Sequence, residues 1–370
     1  MFCIKLKLKK IIFITSEFPP LPGGIGNHAY FLSAYLEKEG YEVTVITNFR
    51  EVYKDKAFDQ DQAFKVIRIK RNAFTYFNRF KASFSYVGKN EFIIVSGKFS
   101  LWIGASLKLF FKSKTILAIL HGSELNAGGK LSRLLTKWSL KKVDKRVAVS
   151  TFTKSIALKI NPTLNIDVIN NGIEIKDTLF VKKHRLKYEK DRLNLVSVGN
   201  VTYRKGQQNI IKALPLLKEK YPGIHYHCIG IPTEKKSFEK LAEKLSVTEN
   251  ITFHGVLSEA EKHTLLSDCD VFCMLSSVLK NGDVEGFGIA ILEANAIGIP
   301  AIGSNNSGIV DAIKNYANGI LVNPENKDEI VNALKLILED YDNYSFRAKE
   351  HSKMFQWNKV IQSYVKVLNS

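Results

Sequence analysis

Short runs of aliphatic and β-branched residues recur along this chain, each followed by a segment whose apolar positions return every three to four residues. The runs at 10–15, 42–47, 65–70, 92–95, 115–120, 146–148 and 167–169 predict strands. They are apolar almost throughout, as strands covered on both faces are. Between them the spacing predicts helices at 27–39, 100–111, 129–140 and 150–159. Strand and helix in alternation predict a doubly wound parallel sheet, an α/β architecture. Residues 171–192 are basic and unpatterned and predict a linker. The rhythm then restarts, with strands at 193–198, 225–229, 251–254, 271–275, 301–303 and 319–322 and helices at 207–220, 234–245, 259–266, 288–296, 309–313 and 327–339. Two similar halves, 1–180 and 191–345, are expected to face an interdomain cleft.

Composition agrees with two globular domains: 370 residues, 45% hydrophobic and 24% charged. No apolar run approaches the ~18 residues of a membrane span. Lys5, Lys7, Lys9 and Lys10 precede an apolar run, 11–14, too short for a signal peptide and expected to be a buried strand. Cys3, Cys228, Cys269 and Cys273 form no Cys-x-x-Cys pair and are expected to be reduced thiols of a cytoplasmic protein. Charge changes the picture more. Residues 1–190 hold 34 Lys and Arg against 15 Asp and Glu, whereas 191–370 hold 20 against 21, so the whole net charge of +18 sits in the first half. A Lys-rich bias of composition would raise both halves. The asymmetry predicts an anionic surface as partner, a membrane or a nucleic acid.

The chemistry concentrates in a few turns. In Asp283-Val284-Glu285-Gly286-Phe287-Gly288-Ile289-Ala290-Ile291-Leu292-Glu293, glycines that admit close backbone approach precede a short helix. A helix N-terminus favours anions. Glu285 stands at its mouth, and Glu293, eight residues on at about 3.6 per turn, returns to roughly the same face. The pair is either a solvated helix face or one wall of a site for an extended nucleotide-linked ligand. Each half also has a glycine-bearing turn after its first strand. The first contains Pro19-Pro20 and Gly23-Gly24, without the Gly-x-Gly-x-x-Gly dinucleotide pattern. The second, Gly199-Asn200-Val201-Thr202-Tyr203-Arg204-Lys205-Gly206, ends in two cations before a helix, which suits a diphosphate or a solvated helix start. His121-Gly122-Ser123-Glu124 follows the 115–120 strand directly, at the strand end where open α/β sheets bind ligands.

Taken together, Pro19-Pro20, Gly23-Gly24, His121-Gly122-Ser123-Glu124, Asn171-Gly172-Ile173-Glu174, Arg204-Lys205-Gly206 and the Glu285/Glu293 pair resemble family 4 of the retaining glycosyltransferases. The motifs occur in the family's order over residues 13–325. Asp283 to Gly288 is similar to phosphatidylinositol-mannoside mannosyltransferases and to polysaccharide and O-antigen glycosyltransferases. The resemblance implies the GT-B fold, two Rossmann-like domains, with a last helix (355–370, bearing Phe355, Trp357 and Tyr364) that returns to the first. It implies a nucleotide sugar as donor, GDP-mannose ahead of UDP-linked hexoses, and a glycan or glycolipid acceptor. It assigns Glu293 to the ribose and Glu285 to donor-sugar hydroxyls. Backbone N–H groups around Phe287, Gly288 and Ile289 would help bind sugar and diphosphate, and Gly23 and Gly24 would pack against the diphosphate. Lys205 would neutralise the departing diphosphate, and His121 would touch the sugar near the reacting carbon. Gly230 and Val256 would flank the base. The family's usual Arg is replaced by Asn200, which can donate a hydrogen bond but carries no charge, so neutralisation falls on Lys205 with Arg204 beside it. Arg204 is a second donor-binding candidate, ranked after Lys205 because a neighbour in a strand-like turn can point the other way. With no Asp-x-Asp pair near a phosphate loop, no metal and no cofactor is expected. A sugar-nucleotide epimerase of the same fold and a basic nucleic-acid-binding protein are the competing readings.

Two basic stretches suit the acceptor side. Residues 65–89 interleave Arg68, Lys70, Arg71, Arg79 and Lys81 with Phe74, Tyr76, Phe77, Phe80, Phe84 and Tyr86. Residues 129–146 set Leu131, Leu134, Leu135 and Trp138 beside Lys130, Arg133, Lys137, Lys141 and Lys142. Both fit an anionic membrane with aromatic anchoring, and both also fit single-stranded nucleic acid. With the resemblance, the expectation is a cytoplasmic enzyme, peripheral on the inner face of the membrane, with no nucleic-acid partner.

Overall fold

Ile11, Ile12, Phe13 and Ile14 are wholly buried in strand β1 (Lys10–Thr15), because the middle of a parallel sheet is covered on both faces. The structure, a computed structural model, describes residues 9–20, 23–126, 128–175, 192–279 and 282–370. Cys3, Lys5, Lys7 and most of the expected linker lie outside the described residues. Six more strands complete the first sheet: β2 (Glu42–Asn48), β3 (Lys65–Ile69), β4 (Phe92–Ser96), β5 (Thr115–Leu120), β6 (Lys145–Ala148) and β7 (Asp167–Val168). All pairings are parallel, in the order β3-β2-β1-β4-β5-β6-β7. The order reverses between β1 and β4, which makes their carboxyl ends the switch point of a doubly wound sheet.

The second sheet repeats this plan with β8 (Leu193–Val198), β9 (Ile224–Ile229), β10 (Ile251–Gly255), β11 (Val271–Met274), β12 (Ala301–Ser304) and β13 (Gly319–Val322). Its order is β10-β9-β8-β11-β12-β13, again parallel, with the switch between β8 and β11. Its core draws on Leu195, Ile211, Leu214, Phe238, Val271 and Ile337, each at most 1% exposed. The chain divides into two units, 1–172 with 357–370, and 173–356. Helix Trp357–Asn369 therefore belongs to the first unit, where the indole of Trp357 lies over Gly172 and stacks 6.0 Å from Phe31. Phe355 is not part of that helix: it stays in the second unit, 5.9 Å from Phe287.

Several expected elements shift. The first helix begins at Gly24, three residues early. The expected helix at 309–313 is a 3₁₀ turn, Gly308–Asp311, capped by Ser307. Four helices among the described residues escaped the pattern: Val52–Gln60, Thr75–Val87, the single turn Ser123–Asn126 and Tyr341–Ser352. Two cations expected on a docking surface are buried instead. Arg68 bonds to Asp59 (2.8 Å) and lies 3.1 Å from Asp55, an ion pair by distance whose angles do not make it a hydrogen bond. Arg79, 2% exposed, donates to Ser16 and Ser100.

Candidate active site

In the second unit the strand ends carry glycines that let backbones touch. Gly230 has φ near 140°, and a Cβ there would lie 2.2 Å from the Gly199 carbonyl oxygen. The Gly199 N–H donates to Ile229 and the Gly230 N–H to Gly255, so the ends of β8, β9 and β10 are stitched side by side. Val256, next along, is 66% exposed, open to a ligand at that edge. Asn200 is exposed, and its carbonyl accepts from Gln207. The turn Tyr203–Lys205 is 3₁₀, closed by left-handed Gly206, whose Cβ would fall 1.8 Å from the Leu275 carbonyl oxygen.

That turn aims two cations at one carboxylate. Arg204 Nη1 donates to Glu285 Oε2 at 2.6 Å, and Lys205 Nζ lies 2.7 Å from the same oxygen. Burial raises the pKa of Glu285, but Lys205 and then Arg204 outweigh it and hold the carboxyl down at about 2. Glu285 is therefore anionic throughout the physiological range. Arg204 also reaches Asp283 at 3.2 Å. Arg204 and Lys205, neighbours in sequence, reach the same carboxylate oxygen, because a 3₁₀ turn, unlike a strand, does not send successive side chains to opposite faces.

The backbone around Glu285 is fixed from the opposite side. The Gly308 N–H donates to the Glu285 carbonyl at 2.9 Å, and a Cβ on Gly308 would meet the Gly286 oxygen at 2.0 Å. Phe287 is 1% exposed, so only its backbone is available to a ligand. Gly288, left-handed at φ 92°, opens helix Ile289–Ala296. The first N–H groups of that helix have no intrahelical acceptor and face any anion placed there. Glu293, on the same helix, is half-buried, with Lys262 at 3.8 Å. Burial disfavours charge on Lys262, but Glu293 and Glu259 together raise its pKa. Sequence reasoning missed Lys262, which reads there as a surface partner of Glu259 three residues earlier.

In the first unit, His121 follows β5 and is buried, its Nε2 2.9 Å from Ser96 Oγ. Burial pushes its pKa down to about 4, so the imidazole is neutral. Its ring meets that of His28 edge-on at 5.1 Å, and His28 Nε2 lies 3.0 Å from the Tyr364 hydroxyl. Gly24 has nothing within 4 Å of a hypothetical Cβ, whereas Gly23 would meet Glu17 at 3.1 Å. Among the described residues no group of three or more His, Cys, Asp or Glu is placed to hold a metal ion.

Comparisons with known proteins agree with this fold. The family model described as Glycosyltransferase Family 4 covers residues 22–177, and that described as Glycosyl transferases group 1 covers 180–354. The chain is 24% identical over 364 residues to the GDP-mannose-dependent alpha-(1-6)-phosphatidylinositol monomannoside mannosyltransferase of Mycobacterium tuberculosis, spanning 90% of each chain. Sucrose-phosphate synthase from Thermosynechococcus elongatus is similar in structure with a TM-score of 0.79 at 19% identity, over 98% of each chain. Anabaena HepE, solved in complex with UDP and glucose, gives 0.77 at 17% identity, over 98% of this chain and 99% of that one. The two Rossmann-like domains are those of the GT-B fold.

Proposed function

The chain belongs to glycosyltransferase family 4, and on that premise we propose a retaining enzyme that moves a hexose from a nucleotide sugar to a lipid-linked or cell-surface glycan. The observation that carries this reading is the Arg204–Lys205–Glu285 cluster beside the start of helix Ile289–Ala296. A sugar diphosphate brings negative charge and sugar hydroxyls together. Two cations and free helix N–H groups stabilise the first as it leaves, an electrostatic role. A carboxylate held anionic accepts hydrogen bonds from the second.

Glu285 already accepts two charge-assisted bonds, which suits positioning better than nucleophilic attack. The donor bond from the anomeric carbon to the phosphate oxygen breaks with Lys205 and Arg204 compensating the charge. The acceptor hydroxyl attacks the same face of the oxocarbenium-like sugar, and its proton passes to the departing phosphate oxygen. Glu293 holds the ribose, with Lys262 fixing its carboxylate. Neutral His121 offers the donor sugar a hydrogen bond. No step calls on a metal.

GDP-mannose is the favoured donor because the mycobacterial relative is named for it. UDP-hexoses follow, given the ligands of HepE. A thermal-shift screen of GDP, UDP and their sugars tests this, since a ligand stabilises in proportion to its occupancy. Stabilisation by neither nucleotide would sink the transferase reading.

The site of action is proposed to be the inner membrane face. No helix among the described residues is long and apolar enough to cross a membrane. Phe74, Phe77, Leu131 and Leu134 are each more than 60% exposed, in stretches rich in Lys and Arg. Anionic vesicles should float the protein where neutral ones do not.

A further inference from the structure

Tyr203 lines a cavity of about 580 Å³ in the second unit, whereas Arg204 and Lys205, next in the same 3₁₀ turn, reach Glu285 instead. The other walls come from the start of helix Gln207–Lys220, from helix Lys235–Lys244 and from residues 277–279 beyond β11. None of the residues assigned above to the donor lines it.

Three cations converge on it. Lys212 comes from the first of these helices, Lys240 and Lys244 from the second, and all three are in no ion pair among the described residues. Lys240 and Lys244 stand four apart on one helix, where like charges repel and destabilise it. An anion lying between them turns that repulsion into attraction. Glu325 is the one carboxylate in the lining, and it is exposed. A second observation points to the rest of a ligand. Gln208 is 7% exposed, and its Nε2 donates to the Tyr203 carbonyl at 3.0 Å. Its Oε1 is left buried with no partner. Such an orphan acceptor is uncommon in a native fold and calls for a donor. Leu241 and Val278 add apolar surface to the wall.

We propose that this cavity is a second ligand site, separate from the donor's, and that it takes a small organic phosphate with a free hydroxyl. Lys212, Lys240 and Lys244 hold the phosphoryl group, as compact ammonium charges on flexible stems that can gather around its oxygens. The hydroxyl donates to Gln208 Oε1, and the carbon skeleton lies against Leu241 and Val278. The same Gln208 amide holds the Tyr203 carbonyl, and the Ser277 N–H holds that of Arg204 at 2.9 Å. A ligand bonded to Gln208 therefore steadies the turn that carries Arg204 and Lys205, and nucleotide binding there is strengthened; by linkage the nucleotide strengthens this ligand's binding equally. That coupling rests on the transferase reading, whereas the site's own chemistry stands without it. The phosphoryl group could belong to a free metabolite or to a lipid head group.

Calorimetric titration of the full chain with glycerol 3-phosphate, fructose 6-phosphate, inorganic phosphate and glycerol tests it. The two organic phosphates should bind at least ten times more tightly than glycerol, and more tightly than inorganic phosphate. K240A/K244A should lower their affinity tenfold or more, with the melting temperature of the free protein and its affinity for GDP or UDP preserved. K205A, in the donor site, should leave organic-phosphate binding as it was. Equal binding of glycerol and its phosphate, an unaffected double variant, or loss of binding in K205A instead would overturn the site. Saturating glycerol 3-phosphate should tighten GDP or UDP binding at least threefold. Unchanged nucleotide affinity overturns the coupling alone, whereas organic-phosphate binding with no nucleotide binding overturns the transferase reading and leaves the site standing. Phosphatidylcholine vesicles doped with phosphatidylglycerol separate the sources. Displacement of bound glycerol 3-phosphate by them assigns a lipid head group, and its retention assigns a free metabolite.

Discussion

Glu285 is a half-buried carboxylate whose charge is maintained by the adjacent cations Arg204 and Lys205, and its replacement tests the chemistry directly. E285Q keeps the shape and removes the charge. It should cut kcat by about 10²–10³, the loss seen when one electrostatic contact to a transition state is removed. Nucleotide affinity should move much less. K205A should lower kcat comparably and weaken nucleotide diphosphate binding as well. Steady-state kinetics beside nucleotide titration separates the two, and unchanged turnover in both variants would refute the assigned roles. Both glutamates, Lys205 and the glycine turns were legible in the sequence as residue types at fixed spacing. Arg204 was legible as a candidate as well, but the direction of its side chain was not, because that depends on whether a turn is extended or 3₁₀. Lys262 was hidden for another reason: an ion pair within one helix looks complete.

At the scale of elements, the thirteen strands among the described residues were legible: the inner ones, buried on both faces, are continuous apolar runs, and the edge strands β3, β7 and β10, with no fully buried residue, show as short β-branched runs in the same rhythm. Helices were legible only where their buried stripe is apolar. On Thr75–Val87 the buried stripe is Arg79, Ser83 and Val87, while Phe74, Phe77 and Phe84 lie outward, so hydrophobicity points the wrong way. Val52–Gln60 buries only Asp55. That one residue holds the helix in place: its carboxylate accepts from the N–H groups of Arg50 and Glu51 and faces Arg68 on β3. D55A should therefore leave Arg68 buried against Asp59 alone. Breaking a buried ion pair costs about 3–5 kcal/mol. A urea or thermal melt should show a loss of that order, and a loss under about 1 kcal/mol would mean that water replaces the carboxylate.

For the molecule as a whole, the histidines set an acid limit. Six of the eight, His28, His121, His225, His227, His254 and His351, have their pKa lowered, in each case first by burial. Both units contain them. In the second, His227 Nδ1 lies 3.0 Å from His254 Nε2, a contact that requires one ring to be neutral. A histidine harder to protonate when folded stabilises the fold above the unfolded value near 6.5 and loses that contribution as pH falls; for His121 and His227 the loss runs down to about 4. Glu17 and Glu124, raised when folded, work in the opposite direction, binding protons more readily in the native state above about 4.5. Below that, they stop opposing and Glu285, held at about 2, begins to add its own loss. The melting temperature should fall from pH 6.5 downward and steepen below about 4.5. A flat profile from 7 to 4 in calorimetry would contradict the burial of these rings.

Helix Trp357–Asn369 has a consequence for synthesis. The first unit is built from both ends of the chain, 1–172 and 357–370, with the Trp357 indole over Gly172 and Tyr364 against His28. On the ribosome, the unit that begins to emerge first is the last to be completed. Its β1–β7 sheet must wait, with the seat for Trp357 open to solvent, while all of 173–356 is translated. Nascent chains halted just before Trp357 should thus present a finished second unit beside an uncovered first one, the form most exposed to chaperones and proteases.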